Sequence, residues 1–97
     1  MRFEWDEAKR AANLAKHGID FADVPELFSG PMLMGPDTRK DYGEARQIGF
    51  GFMCGRLIAL AFTKREPDTI RVISARKANR REESYVKETL ESELGKN

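Results

Sequence analysis

The stretch 46–76, "RQIGFGFMCGRLIALAFTKREPDTIRVISAR", decides the fold. Its pattern predicts three strands and two short turns. In 47–52, Ile48, Phe50 and Phe52 alternate with Gln47, Gly49 and Gly51, as on a strand with one apolar face. Cys54 and Gly55 make a tight turn, and the near-continuous apolar run 56–62 fits a central strand buried on both faces. "EPD" at 66–68 is a second turn. In 69–76, Ile70, Val72 and Ser74 alternate with Arg71, Ile73 and Ala75. Strands joined by connections this short form an antiparallel meander.

Working outward, the N-terminal side is helical. Asp6 is a good N-cap, and "DEAKRAANLAKHG" is rich in alanine, lysine and leucine, which favour helix. Ala8, Ala11, Ala12 and Ala15 with Leu14 offer a small-residue packing face, and Gly18 is a natural left-handed terminator. A second helix starts at Asp20, with Phe21, Val24, Leu27 and Phe28 as its stripe; Pro25 makes its start irregular. "RFEW" is a short edge strand or a hydrophobic lead-in, and 32–45 is a short strand followed by a polar exposed loop. Beyond the meander, Asn79 caps a last helix with Glu82 as its capping-box partner. Tyr85, Val86, Thr89, Leu90 and Leu94 line one face of that helix, and the tail "GKN" frays. The order helix, helix, strands, helix is an α+β domain, an antiparallel sheet packed by two N-terminal helices and one C-terminal helix.

The totals bound the function. A chain of 97 residues fits one domain, 1–97, with one modest core. A single cysteine, Cys54, forbids an intramolecular disulfide and fits a reducing compartment; in a hairpin turn without an oriented partner it reads as inert. The N-terminus has no apolar signal core, and no run approaches the roughly 18 apolar residues of a membrane span, so the chain reads as soluble and cytoplasmic. One histidine and no carboxylates at ligand spacing argue against a metal centre, and no cofactor is expected. "GFGFMCG" lies on a strand and its turn, so its glycines relieve crowding in the sheet and do not cradle phosphate.

Charge is unevenly spread. Residues 64–81 hold seven basic and two acidic residues, a net of +5, against a net of −4 for the rest. Such a segment concentrates anions such as RNA, unless it is only a solvated strand edge and helix start. Lysine, arginine and histidine without metal suit RNA in particular. Its 2′-hydroxyl attacks the adjacent phosphate, so the protein needs only to align groups, move protons and stabilise charge. Arg76, Lys77 and Arg80 form a local cluster at a strand end and a helix N-terminus, where main-chain N–H groups add to an anion site. Arg65 and Arg76 end successive meander strands, at opposite sides of the sheet. Arg71, mid-strand, pairs with a neighbouring acid, while Tyr85 and Trp5 read as core residues.

"FEWDEAKRAANLAKHGIDF", "EARQIGFG" and "IRVISARKANRREESY" resemble the BrnT family of toxins from type II toxin–antitoxin systems. Phe3, Trp5, Asp6, Lys9, Asn13, Lys16, His17 and Gly18 carry the first motif. Ile73, Ser74, Ala75, Arg76, Ala78, Glu82 and Tyr85 carry the last. The resemblance implies a small RelE-like fold and metal-independent ribonuclease activity that halts translation. It implies a BrnA-like antitoxin as partner, RNA (free or on the ribosome) as target, and operator DNA bound mainly through the antitoxin in an autorepressing complex. Within it, Arg65 and Arg76 are assigned to phosphate charge, Lys77, Arg80 and Arg81 to holding RNA, and His17 or Lys9 to proton transfer. Lys9 and His17 are eight residues apart, two turns along one helix face. His17 has a second reading, as a polar residue closing the helix and bonded to a main-chain carbonyl. The chain as a whole has an alternative too, a module that binds nucleic acid or an antitoxin without cutting RNA.

Overall fold

The structure is a computed structural model and describes residues 1–94. The predicted frayed tail, and the Leu94 side chain of the predicted stripe, lie outside the described parts. Strands β1 (Arg2–Glu4), β2 (Met32–Pro36), β3 (Gln47–Met53), β4 (Arg56–Arg65) and β5 (Thr69–Lys77) form one sheet in the order β1-β5-β4-β3-β2. β3, β4 and β5 pair antiparallel, as the turn spacing predicts; β2 adds antiparallel to β3 across the longer loop, and β1 adds to the edge of β5 in parallel. Cys54 and Gly55, at φ 51° and 75°, make the two-residue turn between β3 and β4, the left-handed geometry such hairpins use.

Helix α1 (Glu7–His17) is built as its ends predict. Asp6 accepts from the Lys9 N–H at 3.1 Å, and Gly18 adopts φ 71° with its N–H donated to the Leu14 carbonyl. Its packing differs from expectation. The alanines and Leu14 face solvent, and the one buried residue is Asn13. The second helix is also shorter than predicted. Asp20 caps a 3-10 turn, Phe21–Asp23, and helix α2 then runs only from Pro25 to Phe28. Pro25 starts this helix, where its missing N–H costs nothing. Phe21, Val24 and Leu27 are fully buried all the same.

These residues, with Ile58, Leu60, Phe62, Ile70, Val72 and Ala75, make the main core on one face of the sheet. Each large side chain so buried contributes about 1.5–3 kcal/mol of hydrophobic stabilisation. The inward side of β3 is the glycine side, contrary to the simple alternation. Gly49 and Gly51 are buried, and a Cβ on Gly51 would lie 3.0 Å from Met32 Cγ and 3.4 Å from Leu27. The glycines make room for α2 and β2, so Ile48, Phe50 and Phe52 point to the opposite face. There a smaller cluster of Leu57, Ala78 and Val86, with Leu33, Phe50 and Leu90, seats helix α3 (Arg80–Leu94). Tyr85 is 58% exposed on that helix and is not a core residue; its ring meets Phe50 edge-on at 6.4 Å. Trp5 packs against Phe21, as a core anchor should, and Arg71 is paired with Glu4 at 2.8 Å.

Candidate active site

The site begins with a break in strand alternation. Ala61 faces Ser74, but Phe62 faces Val72, so Ile73 is an extra residue on β5. A bulge of this kind turns the following side chains over. Ala75 therefore joins the core, while Ser74 and Arg76 face the opposite side with Ala59, Ala61 and Thr63 of β4. Past Arg71, β5 has no strand on its outer edge. Asn13 takes that place. Its Oδ1 accepts from the Ala75 N–H at 3.1 Å, and its Nδ2 donates to the carbonyls of Ala75 and Ile19, both at 2.9 Å. This one amide clamps α1 against the bulged strand.

Between α1 and the bulge lies an open cleft of about 360 Å³, lined by Lys9, Asn13, Lys16, His17, Arg46, Ile73 and Ser74, with Ala12 at its rim. The eight-residue spacing does bring Lys9 and His17 together. Among the described residues no carboxylate lines this cleft, although Glu44 lies 3.3 Å from Arg46 Nε behind it. The His17 ring makes no hydrogen bond among the described residues, and Gly18 and Asn13 close the helix end instead. Arg46 comes from the start of β3, two strands away, and reaches the cleft across the small side chains of β4. Among the described residues no three His, Cys, Asp or Glu side chains converge on a metal position.

Arg46 belongs to a loop that closes on itself. The Asp37 N–H donates to the Arg46 carbonyl at 2.8 Å, and the Tyr42 ring stacks 4.0 Å from the Arg46 guanidinium carbon. Asp37 accepts a fork from Arg39 at 2.9 and 2.8 Å and the Tyr42 hydroxyl at 3.2 Å. The Arg39 fork, helped by the Arg39 N–H, holds the Asp37 carboxyl down to about 2 despite its burial. In the sequence this loop reads as merely polar and exposed. The signal it does carry is "TRKDYGEAR", an aromatic residue set among cations.

The other assigned residues are dispersed. Arg76 faces Ala59 and Arg65 faces Thr69, so the two arginines lie at opposite ends of the β4–β5 ladder, about 20 Å apart at strand spacing. Arg65 sits 4.0 Å from Glu44. Arg76 donates a fork to Glu82 at 2.7 and 2.8 Å, and that bond, with the Asn79 N–H, keeps the Glu82 carboxyl below its ordinary range. Glu82 and Asn79 form the predicted capping box at 2.9 and 2.8 Å. The capping box thus takes the Asn79 and Glu82 N–H groups at the α3 N-terminus, and Arg76 there is paired with Glu82. Lys77 lines a separate groove beneath α3 with Arg56, Leu57 and Lys87; Arg80 and Arg81 are exposed on the first turn of α3. Cys54 lies exposed at the hairpin tip, away from the cleft.

Fold and cleft define a class first: a small α+β domain with a cleft lined by Lys9, Lys16, His17 and Arg46 between its first helix and a bulged strand. Residues 5–82 match the family model of the ribonuclease toxin BrnT of type II toxin–antitoxin systems. The crystal structure of the Brucella abortus ribonuclease toxin BrnT is similar at a TM-score of 0.68 and 35% identity, over 82% of this chain and 99% of that one. No curated protein matches. The chain belongs to the BrnT family of ribonuclease toxins.

Proposed function

We propose that this protein is a metal-independent endoribonuclease acting as a single RelE-like toxin domain in the cytoplasm. Its cleavage of RNA halts translation, a BrnA-like antitoxin neutralises it, and the complex represses its own operon through DNA contacts supplied mainly by the antitoxin. The observation that carries the catalytic part is the cleft, where Lys9, Lys16, His17 and Arg46 converge with no carboxylate among the described lining residues.

The chemistry asks for little more. The RNA 2′-oxygen attacks the adjacent phosphorus as its proton passes to the base, for which the His17 imidazole in the cleft is the fitting group. Arg46 and Lys9 stabilise the added negative charge on the phosphorane, Arg46 through forked donors and Lys9 as a point charge. The P–O5′ bond breaks, the leaving oxygen takes up a proton, and the products carry a 2′,3′-cyclic phosphate and a 5′-hydroxyl. No step needs a metal-bound nucleophile, because the 2′-hydroxyl supplies it.

Purified protein freed of antitoxin should cut RNA in excess chelator and leave those ends. His17→Ala and Lys9→Ala should each slow cleavage about 100-fold or more while remaining folded, on the scale of losing a proton-transfer or charge-stabilising group. Salt-dependent binding without any turnover, with or without ribosomes, would instead favour the non-catalytic binding module.

A further inference from the structure

The proposed function puts Arg46 among the groups that meet the RNA phosphate. Resting on that reading, we propose that Asp37 and Tyr42 are positioning residues that hold the Arg46 guanidinium over the cleft, setting the rate of cleavage without touching RNA.

An arginine arriving from two strands away has many rotamers open to it. A phosphate-stabilising group works best when its direction is set before the charge develops. Three contacts restrict this one. The main chain is pinned where the Asp37 N–H meets the Arg46 carbonyl at 2.8 Å. The guanidinium carbon lies 4.0 Å from the Tyr42 ring centre, a close cation–π stack. Nε donates to Glu44 Oε1 at 3.3 Å, the one side-chain hydrogen bond of Arg46 among the described residues. Its two terminal nitrogens make no hydrogen bond among the described residues, which leaves their donors to a ligand.

The stack depends in turn on Asp37. The Tyr42 hydroxyl donates to Asp37 Oδ2 at 3.2 Å. The Asp37 side chain is only 1% exposed and receives the Arg39 fork and the Arg39 N–H as well. It does not line the cleft. A buried carboxylate with no access to the cleft, tied through one aromatic ring to an arginine inside it, acts through that arginine. Lys40, 5.3 Å from the same ring, adds a second cation to the stack.

The test is a double-mutant cycle on the full chain, read two ways. The first is the single-turnover rate on an RNA oligonucleotide. The second is the affinity for the same oligonucleotide made entirely with 2′-deoxyribose, which cannot be cut. Arg46→Ala should lower the rate about 100-fold, as for loss of one preorganised donor. Tyr42→Leu should lower it about 10-fold, and Tyr42→Phe and Asp37→Asn about 3-fold, while Tyr42→Trp, which keeps a stacking ring but also lacks the bond to Asp37, should recover most of the leucine loss and match Tyr42→Phe. Adding Tyr42→Leu to Arg46→Ala should slow it no further. A merely structural Tyr42 gives multiplied losses in the double variant and no recovery with tryptophan, which would overturn the proposal. So would wild-type cleavage by Arg46→Ala while His17→Ala is dead, a result that leaves the ribonuclease reading standing. Should the wild type bind the uncuttable strand but never cut RNA, the ribonuclease reading falls, and coupling or independence of Tyr42 and Arg46 in affinity still decides this one. Absence of binding overturns both. If Asp37→Asn fails to fold, Tyr42→Phe carries the test of that link.

Discussion

The Asn13 carboxamide does for β5 what a neighbouring strand would do, pairing with both main-chain groups of Ala75 and then tying in Ile19. The family motif includes it, but helical patterning does not single it out: four alanines and a leucine around it look like the packing face and are exposed. Removing it leaves a buried N–H and two carbonyls short of partners. Asn13→Ala should therefore cost about 2–4 kcal/mol, well above an ordinary surface change, and lower the melting temperature by about 10 °C or more. Urea denaturation followed by circular dichroism checks this. A cost under about 1 kcal/mol would mean the amide is not what clamps α1. His17 illustrates the reverse case. Its place at a helix end was plain from "KHG", but only the helix closure by Gly18 and Asn13 leaves its ring without a capping duty.

Among the elements, the loop between β2 and β3 depends on charge state. Asp37 is held at about 2 by the Arg39 fork, against a carboxylate's ordinary 3.8. A depressed folded value means the ionised form is favoured by folding. This stabilisation is complete above about pH 4 and drains away as pH falls towards 2. Tyr42 should then loosen first. Tyrosine fluorescence or the Tyr42 ring resonances should report an acid transition between about pH 4 and 2, which Asp37→Asn abolishes. The other elements were visible to different degrees. The meander, both turns, the α1 ends and the Asn79–Glu82 box come from local rules, because turns and caps are satisfied within a few residues. The facing of β3 and β5 does not. Glycines at 49 and 51 are chosen by what lies on top of them, and the Ile73 bulge by how two strands meet.

Across the whole molecule the positive charge is not where the sequence concentrates it. The 64–81 segment splits between the two sheet faces and two ends of a ladder, and Arg76 is neutralised by Glu82. The cleft draws instead on Lys9, Lys16 and Arg46, from α1 and the start of β3. Binding of an uncuttable single strand should then lose affinity with salt at a log–log slope of about −2, for three phosphates neutralised. Arg46→Ala should flatten that slope by about 0.7, and Arg65→Ala should leave it alone. Equal flattening by both would place the strand across the ladder and not in the cleft. Sequence alone determined the α+β order, the three-strand meander, the helix ends and the family, since each rests on contacts between near neighbours or on motifs in chain order. Which cations share a site was decided only in three dimensions. A bulge, a surrogate strand made of one amide and an arginine lying across β4 join residues up to 65 positions apart, from Lys9 to Ser74, and no local pattern records such distances.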